Sequence, residues 1–168
     1  IQKTQKRVYM KKENKTIRMA GETKQWLDEL ILKEQIELNE KVRNGFLNDL
    51  EEKIVSGFSE QLKGVSLNIG LNITAGSIIE KAYLETKNCD WEKVARSLRQ
   101  IEQSSKSSVK GATPRISLDV EVLRGLESYQ LEFQRLEIYS NAQRSVNLSY
   151  VIKLIIYAYW SMKSKKNY

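Results

Sequence analysis

Two arginines stand in short runs where polar and apolar side chains alternate: Arg18 in Lys15-Thr16-Ile17-Arg18-Met19 and Arg115 in Thr113-Pro114-Arg115-Ile116-Ser117-Leu118. Alternation with period two is the pattern of a half-buried strand, so each run sorts its side chains into a core-facing and an outward set. Thr16 and Arg18 face outward in the first run, together with Asn14 just before it. In the second the outward set is Thr113, Arg115 and Ser117, with Ile116 and Leu118 turned to the core. These six side chains are suited to recognising a partner rather than to breaking bonds. A guanidinium can bond guanine at two points, and Ser and Thr hydroxyls both donate and accept.

The rest of the inventory is poor in reactive groups. The chain has no histidine and Cys89 is its one cysteine, which excludes a zinc site of the usual kind, a Cys/His nucleophile pair and an internal disulfide. No glycine-rich phosphate loop or nucleophile motif is present, and most carboxylates fall on helix faces that need them for solubility. The expectation is a protein that is not an enzyme, with no cofactor, metal or small-molecule substrate.

Charge is unevenly distributed. Of a net +7, residues 1–24 hold eight basic against two acidic side chains, while 104–115 add Lys106, Lys110 and Arg115 and the tail adds Lys163, Lys165 and Lys166 with no acid. The remainder is net negative, so the basic charge is confined to three short segments, as in proteins that bind a polyanion. With no signal peptide and no 18-residue apolar span in these 168 residues, the expected location is the cytoplasm.

Elements that could position the six side chains are legible in the apolar spacing. One proline and eight glycines leave helices few interruptions, so the chain reads as mostly α. Trp26, Leu27, Leu30, Ile31 and Leu38 mark a helix over 22–38, and Val42, Phe46, Leu50, Ile54, Phe58 and Leu62 a second helical stripe running to Gly64. Val65 to Ile73 alternates regularly and reads either as a strand or as an extended approach to a helix that Asn72 or Thr74 caps. Asp90 caps a further helix with Trp91, Val94, Ala95, Leu98 and Ile101 as its buried face, closed by a Ser/Lys-rich linker over 104–112. After the second alternating run, Asp119 is placed to cap a helix with the seam Val122, Leu126, Tyr129, Phe133 and Leu136, and Ser140 to Ser145 is loop-like. The run Val151 to Trp160 is apolar all round except at Lys153, too short to cross a bilayer, and so must be a buried helix.

The order strand, helix, loop, apolar helix over the last fifty or so residues resembles the ribbon-helix-helix (MetJ/Arc-type) family of DNA-binding proteins. The resemblance implies that two antiparallel strands enter the major groove and that their outward residues, here Asn14, Thr16, Arg18, Thr113, Arg115 and Ser117, read base edges. It also implies that the N-terminus of each second helix clamps a phosphate. Those positions are Asn147 and Ser149, and in the parallel stretch Asn72, Thr74, Gly76 and Ser77, supplemented by Lys11, Lys12 and Lys110. Because Lys15 to Met19 and Asn72 to Ile79 repeat the order found in the C-terminal half, the expected fold is a tandem pseudo-dimer, similar in architecture to TraY-type relaxosome accessory proteins. The implied division is a basic flexible leader over 1–13, a first half over 14–103 with a helical insertion at about 40–63 and an extra helix at 90–103, the linker, a second half over 113–162, and a basic tail over 163–168.

The function implied is sequence-specific binding of double-stranded DNA, as a repressor or other transcription regulator or as a plasmid or conjugation accessory factor. Higher assembly on adjacent DNA sites is open. Two alternatives stand beside it: a helical protein-interaction adaptor and a nonspecific nucleic-acid binder. A rival parsing makes 65–73 the first strand, with Ser66, Asn68, Gly70 and Asn72 outward, but that face has no basic residue.

Overall fold

The two alternating runs pair with each other. In the computed structural model, which describes residues 11–104, 108–135 and 145–165, β1 (Lys12–Thr16) and β2 (Arg115–Asp119) form a two-stranded antiparallel ribbon. Its register sets Asn14 opposite Ser117 and Thr16 opposite Arg115. Regular pairing stops short of the 15–19 span expected from the alternation, because Pro114 has no N–H to donate. The contact nevertheless continues: Ile17 N–H donates to the Pro114 carbonyl at 3.0 Å, and Met19 and Ala112 exchange both backbone bonds at 2.7 and 3.0 Å.

Six helices follow among the described residues: α1 (Gly21–Arg43), α2 (Phe46–Gly57), α3 (Ala75–Glu85), α4 (Trp91–Ser104), α5 (Val120–Arg135) and α6 (Leu148–Lys165). The stripe expected to run as one helix from Val42 to Gly64 is divided. Val42 belongs to α1, which ends at Arg43 with Asn44 as its C-cap, and Gly45 then takes a φ of +94°, a left-handed conformation that glycine adopts without a steric cost. Turns occupy 58–64 after α2. Residues 65–74 take no regular secondary structure and pair with no described strand, so the rival first strand does not form. The Ile73 N–H instead donates to the Gln35 side chain of α1 at 2.8 Å.

Capping follows the side-chain chemistry that the sequence offers. Thr74 Oγ1 accepts from the Ser77 N–H at 3.1 Å while Ser77 Oγ accepts from the Thr74 N–H at 2.8 Å, a reciprocal box at the start of α3. Asp90 accepts from the Lys93 N–H, Asp119 from the Glu121 N–H and Asn147 from the Tyr150 N–H.

At the centre lies α6, with Val151, Ile152 and Leu154 to Tyr159 all buried. It packs against α1, α3, α4 and α5, as an all-round apolar helix requires. Ile78, Ile79 and Ala82 of α3 are buried in the same core and Tyr83 is half-buried against it. Lys153, the polar interruption, bonds the Glu102 carboxylate and lies 4.0 Å from that of Glu22. The segment boundaries are tighter than expected: Lys12 and Glu13 of the leader belong to β1, Ala112 of the linker to the ribbon, and 163–165 of the tail to α6. The loop expected at Ser140 to Ser145 lies outside the described residues except for Ser145.

Gly76 is where α3 meets the ribbon. A Cβ there would sit 2.1 Å from the Ser117 carbonyl oxygen and 3.2 Å from its carbon, both backbone atoms. Gly76→Ala is therefore expected to lever α3 away from β2 and cost about 2–3 kcal/mol of stability, read as a lowered midpoint in urea denaturation. A wild-type midpoint would show that this junction yields freely.

Candidate nucleic-acid interface

Antiparallel pairing brings all six base-facing candidates onto one surface. Asn14, Thr16 and Arg18 on one strand and Thr113, Arg115 and Ser117 on the other are exposed, while Ile17, Met19, Ile116 and Leu118 beneath them are buried. The register makes two cross-strand couples, Asn14 with Ser117 and Thr16 with Arg115, and its continuation to the Met19–Ala112 bridge sets Arg18 beside Thr113. Neither Arg18 nor Arg115 has an ion-pair partner among the described residues, so both guanidinium groups are open to a ligand. On the opposite face of β1, Lys15 pairs with Glu13 at 3.6 Å.

At one end of the ribbon the surface becomes concave. A cavity of about 680 Å³ is lined by Arg18 to Gly21, Gly111 to Thr113, Asn147 and Ser149. Here the ribbon end with Arg18 and Thr113 meets the start of α6. The first N–H groups of α6, those of Leu148 and Ser149, have no acceptor within the helix and carry the positive end of its dipole. Ala20, which precedes α1 at the same cavity, supplies no side-chain cap. The site thus combines a guanidinium, a threonine hydroxyl and two helix starts, an arrangement able to hold an anion such as a phosphate.

The other phosphate-facing candidates are dispersed. Asn72 is exposed in the extended approach to α3, and Thr74 and Ser77 spend their hydroxyls on each other. Gly76 is buried under the ribbon, so its place is one of packing. Lys12 is engaged with Glu80 of α3 at 2.5 Å, and Glu80 also accepts the Asp119 N–H at 2.6 Å. Lys11 and Lys110 are exposed near opposite ends of the ribbon. Cys89 is half-buried and burial pushes its thiol up, away from the reactive thiolate.

One polar cluster escaped the sequence reading. Glu34 of α1 is 6% exposed and accepts from Lys81 of α3 at 2.7 Å and from the Tyr159 hydroxyl of α6, with Lys163 Nζ at 3.9 Å. Burial by itself raises the Glu34 carboxyl, but the Lys81 and Tyr159 hydrogen bonds and the two ammonium charges outweigh it and hold the group below its ordinary value. Tyr159 is pushed far up by burial and by Glu34. The available signal was spacing: Glu34 falls four residues after Leu30 and seven after Leu27, on the apolar stripe rather than the solvent face.

No family model matches the chain, and neither a curated protein nor a solved structure is similar to it. No described helix is long and apolar enough to cross a membrane.

Proposed function

We propose that the chain is a non-enzymatic, sequence-specific binder of double-stranded DNA, with the ribbon entering the major groove as in the ribbon-helix-helix family. The observation that carries this reading is the outward face of the ribbon: six hydrogen-bonding side chains in three cross-strand couples, two of them arginines without an ion-pair partner among the described residues, backed by the buried Ile17, Met19, Ile116 and Leu118. A ribbon of this width fits the major groove, where base edges present a distinct pattern for each base pair. The cavity at the start of α6 supplies the phosphate contact that positions the ribbon.

The tandem reading rests on how the two halves relate. Helix α1 begins five residues after Thr16 and α5 five residues after Arg115, and those two residues face each other at the ribbon centre. Gly76 of α3 abuts Ser117 on one flank, and Ser149 of α6 lines a cavity with Arg18 on the other. Helices α3 and α6 then pack against each other at the axis. In this scheme α2 with its flanking turns is the insertion in the first half, and α4 is an addition that closes over α6.

Salt titration tests the reading. Duplex affinity, measured by fluorescence anisotropy, is expected to fall about a hundredfold between ~50 and ~200 mM salt, as neutralising four or so phosphates requires. A selected duplex should outcompete random DNA. No binding at low salt would sink the proposal in favour of a protein-interaction module, and equal affinity for random DNA would leave a nonspecific coat.

A further inference from the structure

The helical hairpin made by the second half of α1 and by α2 has an apolar surface that is exposed among the described residues. The last buried residue of α1 is Glu34, yet the helix continues to Arg43, and α2 has no buried residue at all. The apolar side chains of α2 nevertheless cover roughly half its circumference at 3.6 residues per turn. Leu47, Leu50 and Ile54 form the centre of that arc and are half-buried, leaving Phe46 and Val55 on its two flanks. Those flanking residues are 43% and 48% exposed, and Leu32 and Ile36, one turn apart on α1, are 64% and 51% exposed. Two helices with one half-buried seam do not form a stable unit in water. A second such pair would complete a four-helix bundle, in which each helix touches two neighbours.

Charge identifies the other half. Unlike the basic chain as a whole, residues 32–63 carry five basic and seven acidic side chains, with Glu34, Glu37 and Glu40 interleaved among Lys33, Lys41 and Arg43 on α1, and three acids against the single Lys53 on α2. Lys41 and Arg43 form a basic end on α1, while Asp49, Glu51 and Glu52 form an acidic stretch on α2. None of these five makes an ion pair among the described residues. A twofold-related hairpin lays the basic end of one copy against the acidic stretch of the other, twice, which is the self-complementarity that an isologous interface needs. We infer that this hairpin is a homodimerisation arm, pairing two chains through Leu32, Ile36, Phe46 and Val55. The inference is independent of what the ribbon binds.

Sedimentation velocity over a range of micromolar concentrations, without nucleic acid, tests it. A concentration-dependent dimer is expected. Val55→Glu should raise its dissociation constant at least about tenfold, with thermal melting of the monomer unchanged because α2 contributes nothing to the buried core. Arg43→Glu and Glu52→Arg should each weaken self-association, and mixing the two variants should restore a heterodimer, a readout that does not depend on the behaviour of Val55→Glu. A monomer at every concentration would overturn the inference. So would a dimer unaffected by both Val55→Glu and Arg43→Glu.

Discussion

Replacing Arg18 and Arg115 together by alanine is expected to weaken duplex binding about a hundredfold, on the basis of roughly 1.4 kcal/mol for each arginine contact to a base. Both guanidinium groups are exposed and without ion-pair partners among the described residues, so the double variant should melt at the wild-type temperature. Each single variant should lose about tenfold and relax preference at a different base position. Because Arg18 couples with Thr113 at one end of the ribbon and Asn14 with Ser117 at the other, on either side of the central Thr16–Arg115 couple, the two ends are chemically unequal. Selection from random duplexes should accordingly return a site that is not a strict palindrome. Unchanged affinity in the double variant would remove the ribbon from consideration as the reader. Unfolding would place the arginines in the core, against the facing assigned here.

Truncating Glu34 to alanine should be the most damaging single change to stability, costing about 3 kcal/mol because it leaves a buried gap, strands the buried Tyr159 hydroxyl and removes the carboxylate that Lys163 and the more exposed Lys81 face. For a chain of this size that is a fall in melting temperature of about 10 °C. The pH dependence follows from the direction of the shift. Glu34 is held below its ordinary 4.5 in the folded state, so its contribution is complete above that value and is lost as pH falls through the folded value. Glu34→Gln, which keeps an acceptor but cannot titrate, should flatten this acid limb of the stability curve. Tyr159 has the opposite sign: its folded value is raised, so the protonated phenol stabilises below about pH 10 and that contribution is lost as pH rises further. A steep acid limb retained in Glu34→Gln would assign the effect to other carboxylates.

Much of the candidate interface was readable because strand alternation is local information. Ile116 and Leu118 had to face a core, and with the side-chain period of two the outward identities of Arg115 and Ser117 followed directly. The start of α3 was equally legible, since Thr74 and Ser77 carry their capping chemistry in their own side chains. By contrast, the division between α1 and α2 depended on Gly45 adopting a left-handed φ, which a stepped apolar stripe running past it conceals. The ambiguity over 65–73 had no local solution either. An extended segment becomes a strand only where it meets a neighbouring edge, and here β1 and β2 pair only with each other while Gln35 of α1 receives the Ile73 amide.

The six outward residues of the two alternating runs, the caps and the burial of Val151 to Trp160 were set by residue type and spacing alone, because alternation, capping and all-round apolarity each act within a few residues of chain. Only the folded chain decides that Arg18 stands beside Thr113 and Arg115 beside Thr16, that Gly76 rather than any larger residue can lie under Ser117, and that Glu34 is enclosed by Lys81, Tyr159 and Lys163. These are meetings of segments tens of residues apart. Register, close approach and the pairing of a buried charge depend on the relative placement of whole helices and strands, which no local pattern contains.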